Sequence, residues 1–167
     1  MRFLHPNELQ AWCEEHGLPM RPDKDLPADI PELGHHYRLA YAHGKRSGKE
    51  PALAEAAVAA LGQWDEAVLW VTEWGIWPSS EDWPRYYQAR GDRGERMSLG
   101  VKPGHWFSPA DRPDLVLFLT LVLEQAWGGY LLVAQAGQSV PRRLIISHDE
   151  WLELQAAEPS SFGIVAA

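Results

Sequence analysis

Cysteine is almost missing from this chain. Its 167 residues include only Cys13. No intrachain disulfide can form, and neither a disulfide framework nor a cysteine-rich zinc site is open to it. Basic residues are short relative to acidic ones: Lys and Arg number 15 against 23 Asp and Glu, a formal net charge of −8. That balance works against gripping a phosphate backbone, which needs clustered cations, and favours attraction to a basic partner. Long hydrophobic runs are lacking too. The longest, Leu115 to Leu123, is broken by Thr120, whereas a bilayer-spanning helix needs about 20 apolar residues. The opening MRFLHPNELQ has no apolar stretch of signal-peptide length. These absences predict a soluble, cytoplasmic protein with no membrane partner. The length suits one domain over 1–167, since two would each be small.

The strong chemical signatures are also absent. There is no Walker-type phosphate loop, GxGxxG, HExxH, GxSxG or CxxC. The sequence therefore names no cofactor, no metal and no catalytic residue. His35, His36 and His43 are close in sequence, but zinc needs three or four convergent ligands, and neighbouring strand positions point apart.

What the chain does have is tryptophan, nine in all. Trp64, Trp70, Trp74, Trp77 and Trp83 lie in or just before the stretch Ala67 to Arg90. Ala67 to Thr72 reads as a buried strand, Trp74 to Ser80 as a shaped loop, and the segment from Glu81 to Gly91 as an amphipathic helix. Ser79 or Ser80 would cap that helix, with Glu81 and Asp82 on its positive end. Trp83, Tyr86, Tyr87 and Arg90 share a face at helical spacing.

Elsewhere, Asn7 with Gln10 reads as a capping box opening a first helix that stops at Gly17. Residues 18–34 form a proline-rich connector. Tyr37, Leu39 and Tyr41 alternate as in a strand, with a helix as the alternative. Ala52 to Leu61 is an alanine-rich helix with Leu53, Ala56, Ala57, Ala60 and Leu61 as its stripe. Residues 91–104 are a long loop with a short strand at Met97 to Leu99. Gly104 to Phe107 is a short edge strand. An apolar helix follows, ended by Gly128 and Gly129. A hairpin of Tyr130 to Ala134 and Arg142 to Ile146 comes next. Ser147-x-x-Glu150 then opens a last helix, and 157–167 is a loose tail. The fold class is α/β of the α+β kind: one layered domain, a mixed sheet of about four to five strands, helices packed on it, and a C-terminal hairpin followed by a helix.

The candidate site is the end of the Ala67–Thr72 strand with its loop: Glu73, Trp74, Trp77, Ser79 and Ser80, joined by Arg85 and Arg90. In layered α/β proteins, ligands gather beyond the carboxyl ends of strands, near helix N-termini. The indoles can anchor a protein partner, or fill the gap between sheet and helices. His148-Asp149-Glu150 looks like a catalytic cluster, but acids in the first turn of a capped helix have a dipole explanation. Arg85, Arg90, Arg93, Arg96 and Lys102 form a local basic excess, read as a solvated face or an anion patch. Cys13 reads as a small buried hydrophobe.

The segments WVTEWGIWPSSEDW and SHDEW, with Gly104-His105-Trp106-Phe107 and the leucine-rich helix ending in Trp127 between them, resemble a family of small bacterial proteins with no established activity. The resemblance covers Val68 to Trp151. It implies a bacterial cytosolic origin and carries over no catalytic residue. Small size, acidity and exposed-aromatic potential point to a non-enzymatic interaction protein of the immunity or toxin-neutralising kind, with a basic protein partner. The alternatives are a small-molecule or nucleotide-binding protein, possibly an enzyme, that uses the Trp77–Ser80 loop, and a nucleic-acid binder that uses the arginine patch.

Overall fold

The computed structural model describes residues 1–18, 20, 21, 27, 48–75, 83–137 and 142–156, and the backbone of 35–40. In chain order it has β1 (Arg2–Leu4), α1 (Pro6–Glu15), β2 (His35–Ala40), α2 (Glu50–Ala60), β3 (Glu66–Glu73) and α3 (Trp83–Gly91). Next come β4 (Gly104–Phe107), a 3-10 turn at Pro109–Asp111, α4 (Arg112–Glu124), β5 (Gly128–Ala134), β6 (Arg142–Ser147) and β7 (Trp151–Ala156). Of the proline-rich connector only four residues are described, among them Met20 and Pro27, which form an isolated antiparallel bridge. The loose tail at 157–167 and the capping residues Ser79 to Asp82 lie outside the described residues.

The layered α+β arrangement read from the sequence is what forms, but its sheet is larger and differently paired. Seven strands run in the order β1-β4-β3-β5-β6-β7-β2. Each described pair is antiparallel, so the mixed pairing is corrected. Alternating strands and helices suggested parallel neighbours. Here β4 and β5 flank β3 on opposite sides, so α4 carries the chain over β3 rather than to an adjacent parallel strand.

Two elements are corrected. The last helix is strand β7: Leu152 and Leu154 alternate into the larger core, and Ala156 is buried in the same phase, with polar Glu153 and Gln155 between them. Gly104–Phe107 is not at the edge, because the three residues of β1 cover it on the side away from β3. So short a strand leaves almost no period to read.

β3 divides the interior into two layers. Ala67, Leu69 and Val71 face the larger core with α2, α3 and α4, while Val68 and Trp70 face α1. Burial on both faces produces an unbroken apolar run rather than an alternating one. Each such Leu or Val contributes roughly 1.5–3 kcal/mol. On α2 the buried apolar set is Ala54, Ala57, Val58 and Ala60, with Ala56 exposed, so the inward stripe is rotated from the one expected. Helix α1 begins two residues early, at His5, because Pro6 takes the first helical position. The His5 N–H donates to Glu8 Oε2 at 2.7 Å. At its other end Gly17, with φ of 70°, lets Leu18 N–H reach the Cys13 carbonyl at 2.8 Å, a Schellman closure. Helix α4 closes the same way one turn before the glycines expected to end it. Ala126 takes φ of 49°, and Trp127 N–H donates to the Val122 carbonyl at 3.0 Å. Gly128 and Gly129 instead open β5.

Candidate functional site at the end of strand β3

Strand β3 ends where β5 begins. Glu73 stands opposite Gly128, and the register slips between Val71 and Glu73. Glycine is required there by close approach. A Cβ on Gly129 would lie 2.3 Å from the Trp70 carbonyl oxygen, and one on Gly128 would lie 2.3 Å from Glu73 Oε2. The Glu73 side chain therefore lies back over Gly128 while staying about half exposed.

The facing wall is the turn between β6 and β7. Ser147 pairs with Trp151, which leaves His148, Asp149 and Glu150 as the loop. Glu150 is left-handed, at φ 65°, and its N–H donates to the Ser147 carbonyl at 3.2 Å. Asp149 N–H donates to Ser147 Oγ at 3.1 Å. This is a tight hairpin turn with a left-handed last residue. The serine that resembled a helix cap is folding a turn, which is the other use of the same local hydrogen bond.

That turn brings His148 to Glu73 across 75 residues of sequence, with His148 Nδ1 2.7 Å from Glu73 Oε2. His148 Nε2 lies 3.5 Å from Asp149 Oδ1. Beside the pair opens a cleft of about 270 Å³. Tyr130, Ile145 and Trp151 line it, with Glu73, His148 and Arg21 at its walls. Sequence reading found Glu73 but assigned His148 to a helix. The signal against a helix was the alternation Leu152, Leu154, Ala156.

Next along the chain, Trp74 is 36% exposed, and its indole lies 3.9 Å from where a Cβ on Gly100 would stand. Met97 and Val101, on the same loop, are the other large hydrophobics exposed among the described residues. The loop is held from beneath by Arg90. Its guanidinium donates to the Met97 carbonyl at 3.2 Å and twice to the Lys102 carbonyl, each at 3.2 Å. His5 Nδ1 meets the Val101 carbonyl at 3.1 Å. No strand forms at Met97 to Leu99, because these carbonyls are claimed by Arg90 and by turns.

Arg90 is thus inside the protein, fully buried, and not at a surface where a ligand could meet it. It lies 4.4 Å from the Phe3 ring centroid and donates to Tyr86 Oη at 3.1 Å. Tyr86 O–H donates in turn to His105 Nε2 at 2.6 Å, and His105 Nδ1–H donates to the Leu69 carbonyl at 3.1 Å. This assignment follows from the network, since Arg90 has no acceptor to offer. Burial, reinforced by the Arg90 charge, pulls the His105 imidazole down to about 3, so it is neutral. Burial also raises the Tyr86 phenol above its ordinary value.

The remaining candidates divide. Arg85 is exposed and ion-paired with Glu124. Trp77, Ser79 and Ser80 lie outside the described residues. The basic patch is largely neutralised: Arg93 pairs with Asp114, and Lys102 with Glu95 at 2.8 Å. On the α1 face, one oxygen of Glu66 accepts both the Trp12 indole N–H at 2.8 Å and that of Trp106 at 2.9 Å. Burial alone would raise this carboxyl; the two indole donors, with His16 and Arg2 nearby, outweigh it and hold the group below its usual range.

Cys13 is buried, its thiol pushed up to about 12 by burial and then by Glu14. His35 and His36 stand opposite Ala156 and Gln155 in β7, and His43 lies outside the described residues. Among the described residues no group of three or more His, Cys, Asp or Glu is placed to hold a metal, and no helix is long and apolar enough to cross a membrane. Compared with known proteins, the chain matches no family model, no curated protein and no solved structure.

Proposed function

We propose that this chain is a bacterial, cytoplasmic interaction protein of the immunity or toxin-neutralising kind, binding a basic protein partner through the face built by Glu73, Trp74, Met97 and Val101. One observation carries the reading. The large hydrophobics exposed among the described residues, Trp74, Met97 and Val101, sit on two neighbouring loops, and Trp74 directly follows the exposed carboxylate of Glu73. An aromatic anchor with an acidic rim is how a tight interface meets a basic surface. The net charge of −8 adds long-range attraction of the same sign. The resemblance to small bacterial proteins supports the bacterial setting.

The small-molecule or nucleotide reading has less support. Its two arginines are taken, Arg90 by the interior and Arg85 by Glu124. The test is affinity capture from the source organism with the wild-type chain, Trp74→Ala and Glu73→Lys. The expected result is a basic protein retained by the wild type, released by salt and lost by both variants. Equal recovery on all three, or no specific protein at all, would refute the reading.

A further inference from the structure

We infer that the cleft between the end of β3 and the β6–β7 turn is the receptor for one arginine side chain of that basic partner. This deepens the protein-binding reading and rests on it. Three features of the cleft select a guanidinium. First, Glu73 has spare capacity: His148 occupies Oε2 at 2.7 Å, and among the described residues Oε1 has no partner, on a side chain that is 48% exposed. A carboxylate with one oxygen tied and the other open can take a guanidinium N–H without losing its own support. Second, Tyr130 and Trp151 line the cleft, and aromatic faces suit a planar, weakly hydrated cation better than a compact ammonium. Third, the volume of about 270 Å³ admits one long side chain and excludes a folded element.

Arg21 is a like charge on the cleft wall, outnumbered there by the carboxylates of Glu73 and Asp149. The turn residue Asp149, 66% exposed, adds a second negative group at the mouth. Gly128 is the device that sets the site. With no Cβ there, the Glu73 carboxylate can lie back over the strand and face His148.

The experiment is a titration of the isotope-labelled full chain with N-acetyl-arginine amide, followed through the backbone resonances of Thr72 to Glu73 and Ser147 to Trp151. Parallel titrations use the lysine and norleucine amides. Saturable shifts with millimolar affinity for the arginine compound are expected, weaker for lysine and absent for norleucine. Glu73→Gln should weaken binding by about tenfold or more. Gly128→Ala should do the same, since the added methyl displaces the Glu73 carboxylate and crowds the Glu73 Cβ at 3.1 Å, with spectral changes confined to the facing ends of β3 and β5. Trp74→Ala should leave arginine binding intact while abolishing partner capture. No saturable shift up to about 50 mM, equal binding of norleucine, or indifference to Glu73→Gln would overturn the inference. A cleft that fails these tests on a chain whose partner is still lost by Trp74→Ala refutes the arginine receptor and leaves the docking face standing.

Discussion

Lowering the pH should destabilise this protein through one side chain in its core, His105. The ring is fully buried; it donates to the Leu69 carbonyl and accepts from Tyr86 at Nε2, the nitrogen that protonation would fill. Its ionisation is lowered from 6.5 to about 3, first by burial and then by Arg90. In the unfolded chain it charges freely below pH 6.5. Between those two values the unfolded state therefore binds the extra proton, and stability falls as pH drops. Each pH unit across that window removes about 1.4 kcal/mol, so the loss between pH 6.5 and 4.5 is on the order of 3 kcal/mol.

Carboxyls held low in the fold, Glu66, Glu95 and Asp111, add loss of the same sign, concentrated below that range. A His105→Asn variant separates the two. Its amide can still donate to Leu69 but does not titrate, so it starts less stable and loses less on acidification. Urea unfolding at pH 7.0 and 4.5, followed by tryptophan fluorescence, gives the four free energies. The wild type should lose roughly 3 kcal/mol more than the variant over this interval. Should the variant not fold, a proton titration of the wild-type imidazole decides the matter. Equal losses in the two proteins, or a His105 ring that protonates near pH 6 in the folded state, would refute the reasoning.

Arg90→Ala should destabilise the chain by roughly 3 kcal/mol, because it leaves a cavity and strips donors from two loop carbonyls; proteolysis within 92–103 should accelerate with it, and Arg90→Lys should rescue little, as a single ammonium cannot span the Met97 and Lys102 carbonyls. The two glycines opening β5 should part company. Gly129→Ala drives a methyl into the Trp70 carbonyl and should cost roughly 3 kcal/mol or more, whereas Gly128→Ala should shift the urea midpoint little and sever the contact between Glu73 and His148, visible in the His148 ring resonances. Glu150→Gly should stabilise, since Glu150 holds φ of 65°, a conformation that strains an L side chain by about 1 kcal/mol. The melting temperature should rise by about 2–4 °C.

Much of the layered plan was legible because it rests on short-range physics. The run from Ala67 to Thr72 reads as a buried strand, and it became an interior strand of the sheet. Pro51 and Gly62 bracket a helix by removing a donor at one end and permitting a left-handed residue at the other. Tyr86 and Arg90 shared one helix face, as their spacing announced, and Cys13 was buried as its position on α1 required.

What the local pattern left ambiguous was settled by contacts distant in sequence. Ser147-x-x-Glu150 satisfies the local hydrogen-bonding rules of a helix cap and of a hairpin turn equally well; pairing of β7 with β6 and β2 chose the turn. A three-residue strand such as β1 has no period to detect and exists because β4 offers it an open edge. Arg90 looked like a surface cation, since burying a charge is normally prohibitive, and only the fold brings Tyr86, Phe3 and two loop carbonyls around it. The contact between Glu73 and His148, on which the proposed site rests, joins residues 75 positions apart. Composition and spacing carry information over a turn or a strand length, and a site of that kind is made only when the sheet closes.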